Sequence, residues 1–354
     1  MKRVVIWRTA MLSGSETFVR NHGRYLTRWE PRYLGATRVE SPLSDPGQDT
    51  VAFPDGGFLP LRLTGRSARL RAVLRDLRPD VVHAHFGGDG YLISDAASHV
   101  PLVVTVHGHD VTRQPAAPGL RGLRHRHHLR RVFDRAAVIL AVSAHLRDRA
   151  VHWGADPAKV RVHHTGVPLD TPAPAPRADW DVVFVGRLVE KKGAGDLITA
   201  LAALPRVRAL IIGSGPLEER LRERAPHVTF LGAQPPAVVT EQLSRAKVIA
   251  VPSRTAADGD AEGLPTALLE AAALGVPAVA TRHSGIPEAV VHGRTGLLSP
   301  EADPDALADH LRLMLADDQA RARMGKAARE HAETHFDLRR QSALLEDLYD
   351  TLAG

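Results

Sequence analysis

Short apolar runs alternating with amphipathic helical patches are the feature that most restricts this 354-residue chain. The runs are Val4–Trp7, Val81–His83, Leu102–Val106 and Val138–Val142, then Val182–Val185, Leu210–Ile212, Val248–Val251 and Pro277–Ala280. Helical patches such as Ala68–Leu77 and Leu217–Arg224 lie between them. Continuous apolar runs suit strands covered on both faces, so the pattern predicts an α/β chain of parallel sheets with crossover helices. With 44% hydrophobic residues at this length, two domains are the default. A Pro-rich aperiodic stretch between Val167 and Trp180 separates the two sets of runs and reads as a linker. The expected division is residues 1–168, a linker at 169–179 and a second domain at 180–336. A closing helix at about 337–354 carries Leu338, Leu344, Leu345, Leu348 and Leu352 on one face.

The chain has no cysteine, which removes disulfides, thiol catalysis and Cys-ligated metal. The start, Met1–Trp7, is too short an apolar stretch for a signal-peptide core, and no run approaches a membrane span. A soluble cytoplasmic protein is the expectation. The net charge of +6 favours anionic partners of any kind. Nucleic acid is not expected, since zinc-finger spacing, a helix-turn-helix cue and an aromatic-interleaved basic ribbon are all missing. The stretch Gly119–Phe133 reads as a helix dense in Arg and His, with Leu120, Leu123, Leu129 and Phe133 on its apolar side. It is either a solvated face or an interfacial helix on anionic lipid.

Several loops fall where ligands bind in open α/β folds, beyond the carboxyl ends of strands. After the first strand, Gly14 and Ser15 precede Glu16-Thr17-Phe18, where a helix should start; the G-x-G-x-x-G of a dinucleotide site is missing, and a capping box is the plain alternative. His83 and His85 alternate on one face of a strand end, where they line a cleft or satisfy buried groups; a metal lacks an acidic third ligand there. The strand Leu102–Val106 runs into His107-Gly108-His109-Asp110, two imidazoles and a carboxylate suited to a sugar hydroxyl or a developing anion, unless Asp110 only caps a turn. In the second half, Arg187 and Lys192 bracket a loop before a helix starting near Gly195, a diphosphate clamp or ordinary surface cations. Ile212-Gly-Ser-Gly215-Pro brings backbone close to a ligand, and Phe230 with a turn at Gly232 can line a flat ring or join the core. Glu262-Gly263-Leu264-Pro265 leads into the helix Thr266–Leu274, with Pro265 as its first residue. That places a carboxylate and backbone N–H groups at an anion-binding helix start, with Glu270 two turns on.

Taken together, Gly186-Arg-Leu…Lys192-Gly, Ile212-Gly-Ser-Gly-Pro, Val228-Thr-Phe-Leu-Gly, Glu262-Gly-Leu-Pro…Glu270-Ala and Gly285-Ile-Pro-Glu…Gly293-Arg-Thr-Gly-Leu closely resemble the retaining glycosyltransferases of family four. Ser15-Glu-Thr-Phe and His107-Gly-His-Asp look like its exopolysaccharide and colanic-acid branch. The resemblance implies a GT-B fold, two Rossmann-like domains with parallel sheets facing a central cleft, the last helix packing back on the first domain. It implies a hexosyltransferase that uses a UDP- or GDP-sugar as donor, without metal or other cofactor, and a hydroxyl of a glycan, lipid-linked or natural-product acceptor. By carry-over, Arg187 and Lys192 neutralise the diphosphate, Glu270 holds the ribose, and Gly215, Phe230 and Gly232 border the nucleotide. Glu262, Gly263, Leu264 and Thr266 hold the donor sugar and distal phosphate, and His107 touches the sugar near its reacting carbon. Ser15, Glu16, Thr17, His85, His109 and Asp110 are expected on the acceptor side, with the basic helix 119–133 as a peripheral membrane contact at the inner face of a membrane. The competing classes are a sugar-nucleotide epimerase, which would need acid/base carboxylates in the first domain, and a non-catalytic sugar-nucleotide-binding subunit, which would be expected to have lost part of the clamp or the glutamate pair.

Overall fold

A computed structural model describes residues 1–12, 16–39, 41, 43–45, 47–170 and 178–354. Ser15, expected on the acceptor side, and most of the Pro-rich stretch lie outside the described residues. The chain forms two compact units, Met1–Gly166 with Leu338–Gly354, and Val167–Asp337.

The first unit holds seven parallel strands: β1 (Lys2–Met11), β2 (Trp29–Arg38), β3 (Asp49–Val51), β4 (Val81–His85), β5 (Leu102–Val106), β6 (Val138–Ala141) and β7 (Val160–Val162), in the order β3-β2-β1-β4-β5-β6-β7. The second holds six: β8 (Trp180–Val185), β9 (Ala209–Ile212), β10 (Thr229–Gly232), β11 (Ala246–Val251), β12 (Ala278–Thr281) and β13 (Gly296–Ser299), in the order β10-β9-β8-β11-β12-β13. β4 and β5 are buried at every residue, as strands covered on both faces must be. In each sheet the order reverses between the first strand and its later neighbour, β1 and β4 or β8 and β11. Loops leaving those strands therefore diverge and open a crevice at the carboxyl edge.

The strands not expected from the sequence lack a continuous apolar run. β2 includes Pro31, which cannot donate to a ladder; it stands opposite Val4 of β1, while β3 pairs only with Tyr33–Gly35, so one side of Pro31 is unpaired. β10 is an edge strand that alternates exposed and half-buried residues.

The closing helix spans Leu338–Ala353 and buries Leu345, Leu348 and Tyr349 with Val4, Ile6 and Trp29 in the first unit's core. Leu344 is a correction to the expected apolar face, since it is 48% exposed. The buried Glu346 carboxylate accepts the backbone N–H groups of Thr27 and Arg28, each at 2.6 Å, and of Trp29 at 3.2 Å, which fixes the start of β2. The basic helix spans Gly119–Arg135, and its apolar side is also corrected: Leu129, Val132 and Phe133 are buried, whereas Leu120 and Leu123 are 84% and 56% exposed.

Candidate functional site

In the second unit, the loop leaving β8 and the loop leaving β11 meet at the crevice. Gly186 and the exposed Arg187 follow β8, and one short turn over Glu190–Lys192 leads to the helix Ala194–Ala202. Gly193 joins them at φ 68°, and a Cβ there would lie 1.8 Å from the Pro252 carbonyl oxygen, so only glycine lets the two loops touch. Leu188 donates its N–H to Ser214 and accepts from Leu217. That locks the Gly213–Gly215 turn onto the same loop, where a Cβ on Gly215 would meet the Leu188 carbonyl at 2.5 Å. Gly215 thus has a packing role whatever else it borders.

The β11 loop brings Glu262 to the cations. Lys192 Nζ lies 2.8 Å from Glu262 Oε2, and Lys191 Nζ lies 3.1 Å from Asp260 and 3.8 Å from Glu262 Oε1. Burial pushes the Glu262 carboxyl up, but Lys192, Lys191 and the Lys192 hydrogen bond outweigh it and hold it below the usual range. Arg187, by contrast, has no side-chain hydrogen bond or ion pair among the described residues. Of the two cations expected at a diphosphate, Lys192 is already partnered and Arg187 is not.

The helix that follows spans Thr266–Ala273. Pro265 is its N-cap rather than its first residue, and no side chain caps the end. The first N–H groups of such a helix have no partner within it. Gly263 and Leu264 are buried just before this end, and Thr266 is half-buried. The Glu270 side chain has no hydrogen bond or ion pair among the described residues, and burial raises its carboxyl to about 7. Phe230 packs on the edge of the core with the Arg222 guanidinium 4.8 Å from its ring centre, and Gly232 ends β10 at φ 68°.

The sequence reading missed the groups that hold this loop. The Glu262 N–H donates to His283 Nε2 at 3.1 Å, so Nδ1 carries the proton of the neutral ring and donates to Glu301 at 2.8 Å. Ser284 donates to the Glu262 carbonyl, and Glu301 also accepts the Thr255 N–H at 2.7 Å. The only signal was position: His283 and Ser284 follow β12, the neighbour of β11, at the same edge.

In the first unit the crevice between β1 and β4 is charged. Arg8 pairs with Glu16 and Asp89 and lies 4.4 Å from the Phe86 ring centre. Asp89 also accepts from Thr9 N and Oγ1 at 2.8 and 2.7 Å. Phe86 adopts φ 71°, costly for a bulky side chain, and its ring centre lies 4.6 Å from that of His107 and 4.9 Å from that of His109. Arg8, Phe86 and Asp89 were not anticipated; they become neighbours only because β1 and β4 are adjacent. Thr17 begins the helix Thr17–Arg24 and is half-buried, as is His109.

Two expected acceptor residues are buried. Asp110 is 1% exposed and accepts the backbone N–H groups of Gly87, His107 and Gly108 at 3.0, 3.1 and 2.9 Å, so its carboxylate builds the turn. His85 is fully buried, with Nδ1 3.0 Å from His107 Nε2. Behind it His22, His83 and His163 complete a buried imidazole group, with ring centres 4.6 Å apart for His83 and His85 and 5.2 Å for His22 and His85. Burial lowers all five rings, His22 to about 4 and His163 to about 3, so they are neutral. Among the described residues no group of three His, Asp or Glu is arranged to hold a metal.

The sequence profile described as Glycosyl transferases group 1 matches residues 171–331, and that described as Glycosyltransferase Family 4 matches residues 12–171. A protein of Escherichia coli K12 named as a colanic acid biosynthesis glycosyltransferase, WcaL, is 34% identical over 291 residues, covering 77% of this chain and 70% of its own. A Mycobacterium tuberculosis protein named GDP-mannose-dependent alpha-(1-6)-phosphatidylinositol monomannoside mannosyltransferase is 31% identical, covering 93% and 89%. Among solved structures, the sucrose-phosphate synthase of Thermosynechococcus elongatus superposes with a TM-score of 0.81 at 20% identity, covering 99% of each chain. Anabaena HepE in complex with UDP gives 0.80 at 19%, covering 99% of this chain and all of its own. With both halves matched, and with relatives above 30% identity over most of their length, the chain belongs to the family-four, group 1 glycosyltransferases and has the GT-B fold.

Proposed function

We propose that this glycosyltransferase takes a nucleoside-diphosphate sugar as donor, transfers the sugar with retention to a hydroxyl of a glycan, lipid-linked or natural-product acceptor, and needs no metal to do so. The observation that carries the donor side is the convergence of Arg187, Lys191, Lys192 and an uncapped helix start at one crevice, with Glu270 unpartnered two turns along. Cations and helix N–H groups neutralise a leaving diphosphate, which is the task a metal would otherwise perform. Glu270 accepts from ribose hydroxyls, and the backbone at Phe230–Gly232 borders the base. Glu262 with Gly263, Leu264 and Thr266 orients the donor sugar, and His107 hydrogen-bonds it. Thr17, Glu16 and His109 remain the acceptor-side residues. The named relatives suit this reading: one is GDP-mannose-dependent and one neighbour was solved with UDP.

The Lys192–Glu262 pair adds a step. A diphosphate arriving at Lys192 competes with Glu262 for the ammonium, and the released carboxylate turns to sugar hydroxyls. Glu262→Ala is therefore expected to bind the free nucleoside diphosphate as well as wild type or better, while transferring sugar poorly. Glu270→Ala is expected to weaken that binding by about 10-fold through lost charge-assisted hydrogen bonds. Calorimetric titration of both variants, with NMR of the product's anomeric proton from a reaction run in EDTA, tests the assignment. Equal losses of affinity, an inverted anomeric centre or metal-reversible loss of activity would each contradict it.

A membrane-surface acceptor fits the outer face of the first unit. Arg124 of the basic helix donates to the Arg62 carbonyl of the helix Leu59–Thr64 at 2.8 Å, which joins the exposed Leu120 and Leu123 to the exposed Leu59 and Leu63. No acidic residue occurs from Val111 to Phe133, whereas Arg113, Arg121, Arg124, Arg126, Arg130 and Arg131 do. No helix of the described residues is long and apolar enough to cross a membrane. We infer that this face rests on anionic lipid. Vesicles with anionic lipid should sediment the protein, neutral vesicles should not, and Leu120→Ser with Leu123→Ser should weaken binding about 10-fold; equal sedimentation with neutral vesicles would rule the surface out.

A further inference from the structure

We propose that His85 is a positioning residue that presents His107 to its ligand as a hydrogen-bond donor through Nδ1. The inference deepens the reading in which His107 meets the donor sugar, and its core rests on proton counting. Both rings are neutral, so each carries one N–H. His85 Nδ1 and His107 Nε2 are 3.0 Å apart, and a hydrogen bond between two imidazole nitrogens takes one proton. Two arrangements are available. If His107 Nε2 holds the proton, His85 must carry its own on Nε2. That nitrogen is buried and has no partner among the described residues, so an N–H donor would be stranded in the core. If His85 Nδ1 holds the proton, the stranded position is only a lone pair, and His107 carries its proton on Nδ1.

The surroundings favour the second arrangement. His85 cannot swing to a new donor or acceptor, because His83 stacks at 4.6 Å on one side and His22 lies 5.2 Å away. His83 is held in turn by Tyr349 Oη at Nδ1 and Thr105 Oγ1 at Nε2, both at 2.6 Å. The Arg8 guanidinium adds positive charge near the pair and opposes its protonation. His107 itself is wedged by Phe18 at 4.7 Å and Phe86 at 4.6 Å between ring centres, so its ring plane is set and only Nδ1 remains without a partner among the described residues. An Nδ1–H suits an oxygen lone pair of a sugar. It cannot take a proton from an acceptor hydroxyl, so this geometry makes His107 a donor and denies it the part of general base.

The test is the tautomer of His107 in the resting full-length protein, read by long-range proton–nitrogen correlation on histidine-labelled samples, with the signal identified by its loss in His107→Gln. Protonation at Nδ1 is expected, and protonation at Nε2 would overturn the proposal. His85→Asn keeps an amide donor where Nδ1 stood, and should keep both the tautomer and turnover within a few-fold. His85→Leu should lose the tautomer bias and lower kcat by about 10-fold or more, with nucleoside-diphosphate affinity unchanged. If His85→Asn falls as far as His85→Leu, positioning through the donor is refuted. If His107 is protonated at Nδ1 but His107→Ala transfers at the wild-type rate, the contact of His107 with the sugar fails while the role of His85 stands.

Discussion

Arg187→Ala is expected to lower kcat/KM for sugar transfer by 10²- to 10³-fold, about 3–4 kcal/mol of transition-state stabilisation, without changing the melting temperature. The guanidinium is exposed and has no partner among the described residues, so its removal strands nothing in the folded protein. Lys192→Ala should lose comparable activity for a mixed reason. Its ammonium pairs with the 6% exposed Glu262, and deleting it leaves a buried carboxylate with only Lys191, 3.8 Å from Oε1. Breaking such a pair costs on the order of 3 kcal/mol locally, so this variant should also soften the loop. Steady-state kinetics beside thermal melts of both variants separate the effects. Near wild-type turnover by Arg187→Ala would show that the diphosphate lies elsewhere.

The second large effect is acid lability of the first unit. His22, His83, His85, His107 and His163 have folded-state pKa values below the ordinary 6.5, because burial disfavours the imidazolium. Above pH 6.5 both folded and unfolded chains hold these rings neutral, and the stability is fully present. As pH falls below 6.5 the unfolded chain takes up protons that the folded unit refuses, and stability drops by about 1.4 kcal/mol per pH unit per ring. By pH 5, His22 and His163, with folded values of about 4 and about 3, have each cost about 2 kcal/mol, and His83, His85 and His107 act in the same direction. Hydrogen exchange across β1, β4 and β5 should therefore collapse between pH 6.5 and 5. The second unit contains a group of opposite sign: Glu270, raised to about 7, favours folding at low pH and loses that contribution as pH rises through 7. Retained protection of β1 and β4 at pH 5 would contradict this acid lability.

The apolar runs that built β4, β5, β9 and β12 were legible because a strand buried on both faces keeps a near-continuous apolar run even where it carries a polar residue such as His83 or Thr105. β2 was not, since Pro31 and the charged residues of Trp29–Arg38 become a strand only beside β1. The same holds at the site. Arg187, Lys192 and Glu262 stood out as candidates in the sequence because each lies beside a glycine turn or helix start, and Glu270 because it follows along the same helix. The Lys192–Glu262 contact, the His283–Glu301 brace and the Arg8–Asp89 pair join residues distant in sequence, and only adjacency of parallel strands brings them together. Asp110 and His85, expected on the acceptor side, are buried, because chemistry-bearing side chains at a strand end or in the turn after it face the core as easily as the solvent.

The closing helix has a consequence for how the protein is made. Glu346 meets Thr27 across 319 residues of chain, and Tyr349 meets His83 across 266. Everything between Val167 and Asp337 leaves the ribosome before the closing helix and can fold as the second unit, while the first unit, although most of it is synthesised earlier, still lacks the helix that covers Trp29 and Val4. The usual order in which domains mature along a chain is reversed. Until Tyr349 emerges, the nascent sheet keeps an uncovered apolar face, so the first unit is the part most open to misassociation during translation.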